Sequence, residues 1–271
     1  MYLKFIILMQ KISVITVNFN NLNGLKKTIK SVLKQTYLYY EYIVIDGGST
    51  DGSRDYICSH QDNLSYWCSE KDGGIYDAMN KGISHATGDY LLFLNSGDYF
   101  VKSNVLSTIF RVSFDEDLLI GRQYFIDSKG HKSSSHRIIK DEINEEFFWS
   151  NTLPHQATFI KRDMFVRAGL YDTNYRIVSD WIFWYKAIVH SQASLKMIDT
   201  FVSFMEKNGV SGNIDRCREE MAHFLFSQKT VLKESDWIEI MDMAEKSFSY
   251  KRAVRNIFSK FLFKLAIYIN K

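Results

Sequence analysis

Proline and cysteine are scarce in this sequence, which contains one proline, Pro154, and three cysteines among 271 residues. Cys58, Cys68 and Cys217 are odd in number and form no CxxC pair, which argues against a disulfide framework and against a cysteine-ligated metal cluster. We expect free thiols in a reducing compartment. Because no proline-rich or low-complexity linker occurs either, the chain shows no clear domain boundary.

Neither an excess of charge nor a long apolar run is present. The 34 basic and 31 acidic side chains give a net charge of +3, too small to indicate nucleic-acid binding by the chain as a whole. The apolar stretch 5–9 is shorter than a membrane span and lacks a small-residue cleavage site, so we interpret residues 1–11 as an N-terminal tail. These features predict a cytoplasmic protein without a nucleic-acid partner.

Several catalytic signatures are also missing. The segment after the first predicted strand, Asn18–Gly24, lacks the GxGxxG pattern of dinucleotide-binding domains, and no GxxxxGK phosphate loop occurs. The seven histidines show no HExxH or other zinc spacing, and no serine nucleophile elbow is found. The sequence therefore disfavours dehydrogenases, P-loop NTPases, zinc enzymes and serine hydrolases.

Apolar and aromatic residues are abundant, at 46% and 15%, which is ample for a packed core. The run Tyr90–Leu94 has no polar alternation, which is typical of a strand buried on both faces of a parallel sheet. Similar strands are predicted at 12–17, 42–45 and 64–68, with helical spacing between them. This alternation predicts an α/β fold with a parallel sheet.

The pattern changes after Asp98. A helix is predicted at 102–112, followed by the two strands of a hairpin at 118–126 and 131–139. Three further helices are predicted: one that begins at Ser179, one at 214–232 and one at 237–248. We interpret this half as α+β structure beside the parallel sheet.

Carboxylates follow two of the predicted parallel strands. Asp46 precedes the glycine-rich turn 47–52, and Asp98 ends the turn 95–98. Both are expected at the carboxyl edge of the sheet, where open α/β sheets bind ligands. The same residue types also build ordinary turns, so both interpretations stay open at this level.

The C-terminal segment has a pattern of its own. Residues 250–271 contain six basic residues and no acid, and apolar residues recur at helical spacing. A basic amphipathic helix of this kind can lie on an anionic membrane surface. The alternative is a helix that packs on the protein's own core or on a second subunit.

Four motifs together carry a resemblance to a known family: Ile12–Asn20, Asp46–Gly52, Asp72–Gly82 and Asn95–Asp98. Over roughly residues 11–212 the chain resembles family 2 glycosyltransferases of GT-A fold. The resemblance implies a Rossmann-like, mostly parallel central sheet flanked by helices. It also implies a GT-A domain at 12–212, which consists of a nucleotide-binding half at 12–98 and an acceptor half at 99–212. A C-terminal helical segment would follow at 213–271.

The resemblance implies an inverting transfer of a sugar from a nucleotide diphosphate donor, with a UDP-sugar expected, to a saccharide in surface-polysaccharide biosynthesis. A polyprenyl-linked acceptor is expected, with the enzyme peripheral on the cytoplasmic face of the membrane. Asp46 is implied to accept a hydrogen bond from the base. The residues implied to form the nucleotide site are Thr16, Val17, Asn18, Phe19, Asn20, Asp46, Ser49, Asp72, Asn80, Asn95 and Ser96.

The resemblance also implies a divalent cation, Mn²⁺ or Mg²⁺, which would offset the charge that develops on the leaving diphosphate. Asp98 matches the last acid of the family's metal-binding motif. Asn95 and Gly97 stand where many members carry further aspartates. A single charged ligand predicts a weak site that the diphosphate and water complete.

Asp180 matches the family's catalytic acid-acid motif, with Ser179 in place of the preceding acid, and is implied to be the general base. From the residues alone, an aspartate beside a serine N-cap would equally serve the helix dipole. His155 and Gln156 resemble an acceptor-side element, although a lone histidine is more often structural. Residues 208–211 resemble a loop that lies beside the sugar diphosphate.

Two other functions compete with sugar transfer. A non-catalytic nucleotide-sugar-binding protein would explain the reduced metal motif, and a nucleotidyltransferase would use a related sheet to release pyrophosphate. Dependence of turnover on Asp180 separates the first from an enzyme, and release of a nucleoside diphosphate excludes the second.

Overall fold

The computed structural model describes residues 9–127, 129–206 and 214–228. Its strands are β1 (Ile12–Asn18), β2 (Tyr40–Asp46), β3 (Tyr66–Ser69), β4 (Tyr90–Phe93), β5 (Tyr99–Phe100), β6 (Leu118–Ile126), β7 (Lys132–Ser134), β8 (Thr158–Lys161) and β9 (Leu195–Glu206). Its α-helices are α1 (Leu22–Leu33), α2 (Ser53–Cys58), α3 (Ile75–His85), α4 (Val105–Ile109), α5 (Phe147–Ser150), α6 (Met164–Arg167), α7 (Ser179–Tyr185) and α8 (Ile214–Ser227). The loop at 208–211, the predicted helix at 237–248 and the basic segment at 250–271 lie outside the described residues.

The N-terminal half confirms the predicted parallel sheet. Strands β3, β2, β1 and β4 lie side by side in that order, and each pair is parallel. The register places Asn18 opposite Asp46, and Asp46 opposite Ser69. Three polar strand ends therefore meet at one edge of the sheet.

The C-terminal half continues the same sheet, which differs from the prediction of α+β structure beside it. β8 pairs antiparallel with β4, β6 antiparallel with β8, β9 parallel with β6, and β5 antiparallel with β9. The predicted hairpin is confirmed, although its second strand, β7, spans three exposed residues only. Neither β5 nor β9 was predicted. β5 spans two residues only, which is too short to show a period, and β9 mixes exposed and buried positions without a regular period.

The helix predicted at 102–112 is the shorter helix α4. The Gln35 side chain accepts a hydrogen bond from the Leu106 backbone N–H at 3.2 Å and donates to the Lys102 carbonyl at 2.7 Å. These bonds hold residues 102–104 as a turn before the helix. The apolar side of α4, which includes Leu106 and Ile109, packs into the core.

Two apolar cores cover the two faces of the sheet. In β1, Ile12 and Val14 belong to the core that contains residues of α1, α2 and α4, whereas Ile15 and Val17 belong to the core that contains residues of α3, α7 and α8. Burial on both faces is the reason why these strands carry no polar alternation. No helix in the described ranges combines the length and apolar character of a membrane span.

Candidate functional site

Asp46 is the centre of a hydrogen-bond network at the carboxyl edge of the parallel strands. Asp46 is fully buried. Its carboxylate accepts four hydrogen bonds: from Asn18 Nδ2 at 2.7 Å, Ser49 Oγ at 2.6 Å, Ser69 Oγ at 2.7 Å and the Ser49 backbone N–H at 2.9 Å. Burial raises the pKa of Asp46, but these hydrogen bonds outweigh burial and hold the pKa below its ordinary value.

These four donors fill the acceptor capacity of the Asp46 carboxylate, since its two oxygens offer about four lone-pair sites. A bond from a nucleotide base, as the resemblance implies, would have to replace one of them. In this structure the carboxylate fixes the turn that follows β2.

The loops after β1 and β2 are locked to each other. The Asn20 backbone, at φ 49°, donates to Ser49 Oγ at 2.7 Å, and Thr50 N donates to Asn20 Oδ1 at 2.9 Å. The Phe19 ring beside them is 65% exposed. An exposed aromatic ring on a rigid loop provides a flat apolar surface on which a nucleobase can stack.

Asp72 lies next to Phe19 and above Gly47. A Cβ atom at position 47 would lie 2.6 Å from Asp72 Oδ2, so the glycine lets the Asp72 carboxylate approach closely. Asp72 Oδ1 accepts from the Gly74 N–H at 2.9 Å, whereas no donor among the described residues contacts Oδ2. Burial raises the pKa of Asp72. Phe19 and Asp72 thus provide a stacking surface and a free acceptor oxygen side by side.

Three residues of the predicted nucleotide site have internal roles instead. The Thr16 hydroxyl is fully buried and bonds to Tyr42 Oη at 3.0 Å, and Val17 packs in the core. The Asn80 amide donates to the Tyr171 carbonyl at 2.8 Å and accepts from the Tyr171 N–H at 3.1 Å. In this structure these side chains hold the scaffold, and their place in the nucleotide pocket stays a prediction.

Asp98 is a buried carboxylic acid, 6% exposed. Burial raises its pKa to about 7; the Gln156 side chain opposes the rise and the neighbouring Glu206 carboxylate adds to it. Gly97 has φ +109°, which L side chains rarely adopt, so glycine suits this position. Ser96 contributes its carbonyl, which accepts from Asn21 Nδ2 at 2.8 Å.

The oxygen atoms around Asp98 fit a weakly held divalent cation. Asn95 Oδ1 is buried and has no hydrogen-bond partner among the described residues. Glu206 Oε2 lies beside the turn, since a Cβ atom at position 97 would be 3.8 Å from it. The other carboxylate oxygen of Glu206 pairs with Lys27 Nζ at 2.5 Å. Hard cations prefer such ligands, although the described ranges contain no group of three or more His, Cys, Asp and Glu that could hold a metal. Further ligands would have to come from a bound substrate and water.

Asp180 lies in the first turn of α7, half-buried, and its Oδ1 accepts from Tyr76 Oη at 2.8 Å. The preceding backbone N–H groups, of residues 176–178, bind the Glu220 carboxylate of α8 at 2.9 to 3.3 Å. Ser179 Oγ is buried without a partner in the described part, and the N-cap position belongs to Val178. The alternative in which Ser179 caps the helix is therefore wrong, and the Asp180 carboxylate is not used as a cap.

The structure gives His155 and Gln156 internal partners. His155 is 5% exposed, stacks on Phe93 with ring centroids 5.1 Å apart, and bonds through Nε2 to Tyr171 Oη at 2.9 Å. Burial lowers the pKa of His155, so its ring is neutral near pH 7. The predicted contact of His155 with an acceptor stays a prediction, and its observed role is in the core.

Tyr76, Glu206 and Glu220 were not predicted as site residues. Tyr76 lies within the motif Asp72–Gly82. Its position in the first turn of a predicted helix that directly follows two glycines was the signal that could have marked it as a site residue. Glu206 and Glu220 carry no local signal, because each reaches the site from a distant part of the chain.

Comparisons with known proteins identify relatives of this chain. Residues 13–173 match the family described as Glycosyl transferase family 2. An uncharacterized glycosyltransferase of Mycobacterium tuberculosis is 36% identical over 181 residues, which are 62% of this chain and 65% of that protein. A PGL/p-HBAD biosynthesis glycosyltransferase of Mycobacterium bovis is 28% identical over 74% of this chain and 79% of its own length. The chain thus spans just under two thirds of the first of these relatives.

Solved structures share the fold. TarS of S. aureus, residues 1–349, superposes with a TM-score of 0.64 at 16% identity, over 88% of this chain and 72% of that one. A mannosyltransferase of Pyrobaculum calidifontis superposes with a TM-score of 0.59 at 16% identity, over 94% of this chain and 75% of that one. The sheet with its flanking helices is a GT-A fold, and the chain belongs to glycosyl transferase family 2.

Proposed function

We propose that this protein is an inverting glycosyltransferase that moves one sugar from a nucleotide diphosphate sugar to a saccharide acceptor. The observation that carries the proposal is the Asp180 carboxylate, which is half-buried, hydrogen-bonded to Tyr76 and not used as a helix cap. A carboxylate held in this way is suited to accept the proton of an acceptor hydroxyl.

The donor site in this proposal combines two parts of the sheet edge. Phe19 and Asp72 face the nucleoside, while Asn18, Asn20, Asp46 and Ser49 keep their loops in place. Asn95, Ser96 and Asp98 face the diphosphate. Structures of TarS with UDP-GlcNAc and of the Pyrobaculum mannosyltransferase with GDP-Man and Mn²⁺ support this class of donor, and we expect a UDP-sugar.

Asn95 and Asp98 would hold the divalent cation, with Glu206 beside them. When bound, the ion would offset the negative charge that develops on the leaving diphosphate. Asp180 would remove the proton of the attacking hydroxyl from the face of the sugar opposite the diphosphate, which is the requirement for inversion. Tyr76 remains protonated throughout, since burial, reinforced by Asp180, raises its pKa well above the ordinary value.

Binding of donor and metal can be tested by thermal shift. We expect a UDP-sugar with Mn²⁺ to raise Tm more than either alone, because ligands that bind the folded state stabilise it in proportion to their occupancy. The isosteric variant Asp98→Asn should lose the increment due to Mn²⁺ and keep that due to the nucleotide. Asp62→Asn, an exposed acid, is the matched control. An unchanged Mn²⁺ increment in Asp98→Asn would place the metal elsewhere.

We also propose a lipid-linked acceptor and contact with the cytoplasmic face of the membrane through residues 250–271. The support is their basic amphipathic sequence, and the M. bovis relative named for PGL/p-HBAD biosynthesis is consistent with it. A second basic surface exists at α1, where Lys27, Lys30, Lys34 and Lys102 line a cavity of about 360 Å³.

Sedimentation with anionic phosphatidylglycerol vesicles tests this proposal. The full chain should pellet with these vesicles and remain in solution with neutral ones, because each basic residue near anionic headgroups contributes about 1 kcal/mol. Removal of residues 250–271 should abolish pelleting, whereas the variant Lys30→Glu/Lys34→Glu should still pellet. The reverse result would assign membrane contact to α1.

The two competing functions predict different products. A nucleotidyltransferase releases pyrophosphate, and a binding protein releases nothing. The donor found by thermal shift is incubated with the protein, and the products are separated by chromatography. A transferase should release free nucleoside diphosphate, either by sugar transfer or by slow hydrolysis of the donor, and neither competing function does so.

A further inference from the structure

The Tyr76 hydroxyl links α3 to the start of α7. Tyr76 is 6% exposed, and its Oη lies 2.8 Å from Asp180 Oδ1 and 2.6 Å from the Ile177 carbonyl oxygen. A phenol has one proton to donate, and a charged acceptor makes a stronger hydrogen bond than a neutral one. We therefore assign the Tyr76 proton to the Asp180 carboxylate and not to the Ile177 carbonyl. We propose that Tyr76 is a positioning residue for Asp180, an inference that rests on the proposed function and adds a residue to which no role in it was assigned.

The position of the Tyr76 hydroxyl is defined by the core around it. The Tyr76 and Tyr171 ring centroids lie 5.6 Å apart, and the Asn80 amide, one turn further along α3, binds the Tyr171 backbone on both sides. These contacts support the tyrosine ring independently of Asp180. This rigidity is what a positioning role requires.

The contact has a geometric consequence for the proposed base. It engages Oδ1 of Asp180, so the oxygen that we assign to the acceptor hydroxyl is Oδ2. Tyr76 thus sets the direction of the proposed base.

The other titratable groups near Asp180 do not replace this effect. Tyr171, His155 of the turn before β8 and Cys217 of α8 interact with Asp180 electrostatically. Burial raises the pKa of Tyr171 and Cys217 and lowers that of His155, so all three are neutral near pH 7. Glu220 is engaged by the backbone N–H groups of residues 176–178.

The test is the split between kcat and the donor KM for Tyr76→Phe, measured by release of nucleoside diphosphate. We expect kcat to fall about tenfold with the donor KM unchanged, because the proposed base loses the contact that directs it. The thermal shift caused by the donor should not change. A purely structural role would lower kcat equally in a variant that loses another hydroxyl of the same aromatic cluster.

Two variants serve as controls. Tyr37→Phe removes a buried hydroxyl that donates to the Gln10 carbonyl at 2.7 Å, far from Asp180 along the chain, and Tyr171→Phe removes one in the same aromatic cluster. Neither variant should lower kcat.

The outcomes separate this inference from the proposed function. If the wild type releases no nucleoside diphosphate with any donor, the proposed function is wrong and the inference falls with it. If the wild type is active and kcat of Tyr76→Phe is unchanged, or falls equally in Tyr171→Phe, the inference alone is overturned.

Discussion

Replacing Asp180 with asparagine is expected to lower turnover by about 10² to 10⁴-fold, the usual contribution of a general base. Asparagine keeps the shape of the side chain and can still accept the Tyr76 hydrogen bond at Oδ1. It has no lone pair basic enough to take a proton from a hydroxyl. The change therefore removes the chemistry and leaves the geometry.

The expected pattern is a loss in kcat with unchanged donor binding. Asp180 lies on α7, and the residues proposed to face the nucleoside, Phe19 and Asp72, lie on the loops after β1 and β3. The measurements are nucleoside diphosphate release and donor-induced thermal shift, on the same preparations.

Asp172→Asn is the matched control for Asp180→Asn. Asp172 precedes α7, and among the described residues its carboxylate bonds within its own turn, to the Asn174 backbone and side chain at 3.0 and 2.8 Å. This variant should retain full activity. Wild-type turnover in Asp180→Asn would reject the proposed mechanism and favour a base elsewhere.

Replacing Glu41 with glutamine is expected to cost about 3 kcal/mol of unfolding free energy at pH 7. Glu41 lies in β2 at the edge opposite the candidate site, with its side chain 7% exposed. Its oxygens accept from Lys11 Nζ and Ser13 Oγ, both at 2.6 Å, and from the Thr87 backbone N–H and hydroxyl at 2.5 and 2.8 Å.

The stabilisation by Glu41 depends on pH in a defined direction. Burial raises the pKa of Glu41, but the bonds from Lys11, Ser13 and Thr87 outweigh it and lower the pKa from 4.5 to about 2. A lowered pKa in the folded state means that the unfolded chain binds the proton more tightly. The contribution is therefore fully present above pH 4.5 and is lost as the pH falls from 4.5 to 2.

Urea unfolding at several pH values measures this contribution. The difference in unfolding free energy between wild type and Glu41→Gln should be largest from pH 7 to pH 5 and should shrink below pH 4.5. Glu70→Gln is the control, because Glu70 is 61% exposed and its ion pair with Lys81 lies at the surface, where such pairs contribute about 0 to 1 kcal/mol. A difference that stays constant down to pH 3 would contradict the assignment.

The parallel half of the fold follows from local sequence. Strands β1, β2 and β4 are short apolar runs, and segments with helical spacing separate the predicted strands, so a parallel sheet could be predicted. The antiparallel half could not, because β9 pairs with β6 and β5, which lie far away along the chain. No periodicity within β9 marks that pairing.

The candidate site divides in the same way. The motif loops and their placement at one sheet edge could be predicted. The roles of Asp72, Asp98 and Asp180 as its acids stay predictions. The internal partners of Thr16, Asn80 and His155 could not be predicted, because whether a polar group faces a ligand or the core depends on what packs against it.

By itself, the sequence determined the family, the α/β class and the segments that carry the site, since apolar periodicity and motif spacing are properties of the chain. Only the tertiary structure decided how the carboxylates are used. It saturates Asp46 with internal donors, buries Asp98 beside Glu206, and sets Tyr76 against Asp180. The physical reason is that hydrogen bonding and desolvation depend on neighbours that are distant in the chain and close in space.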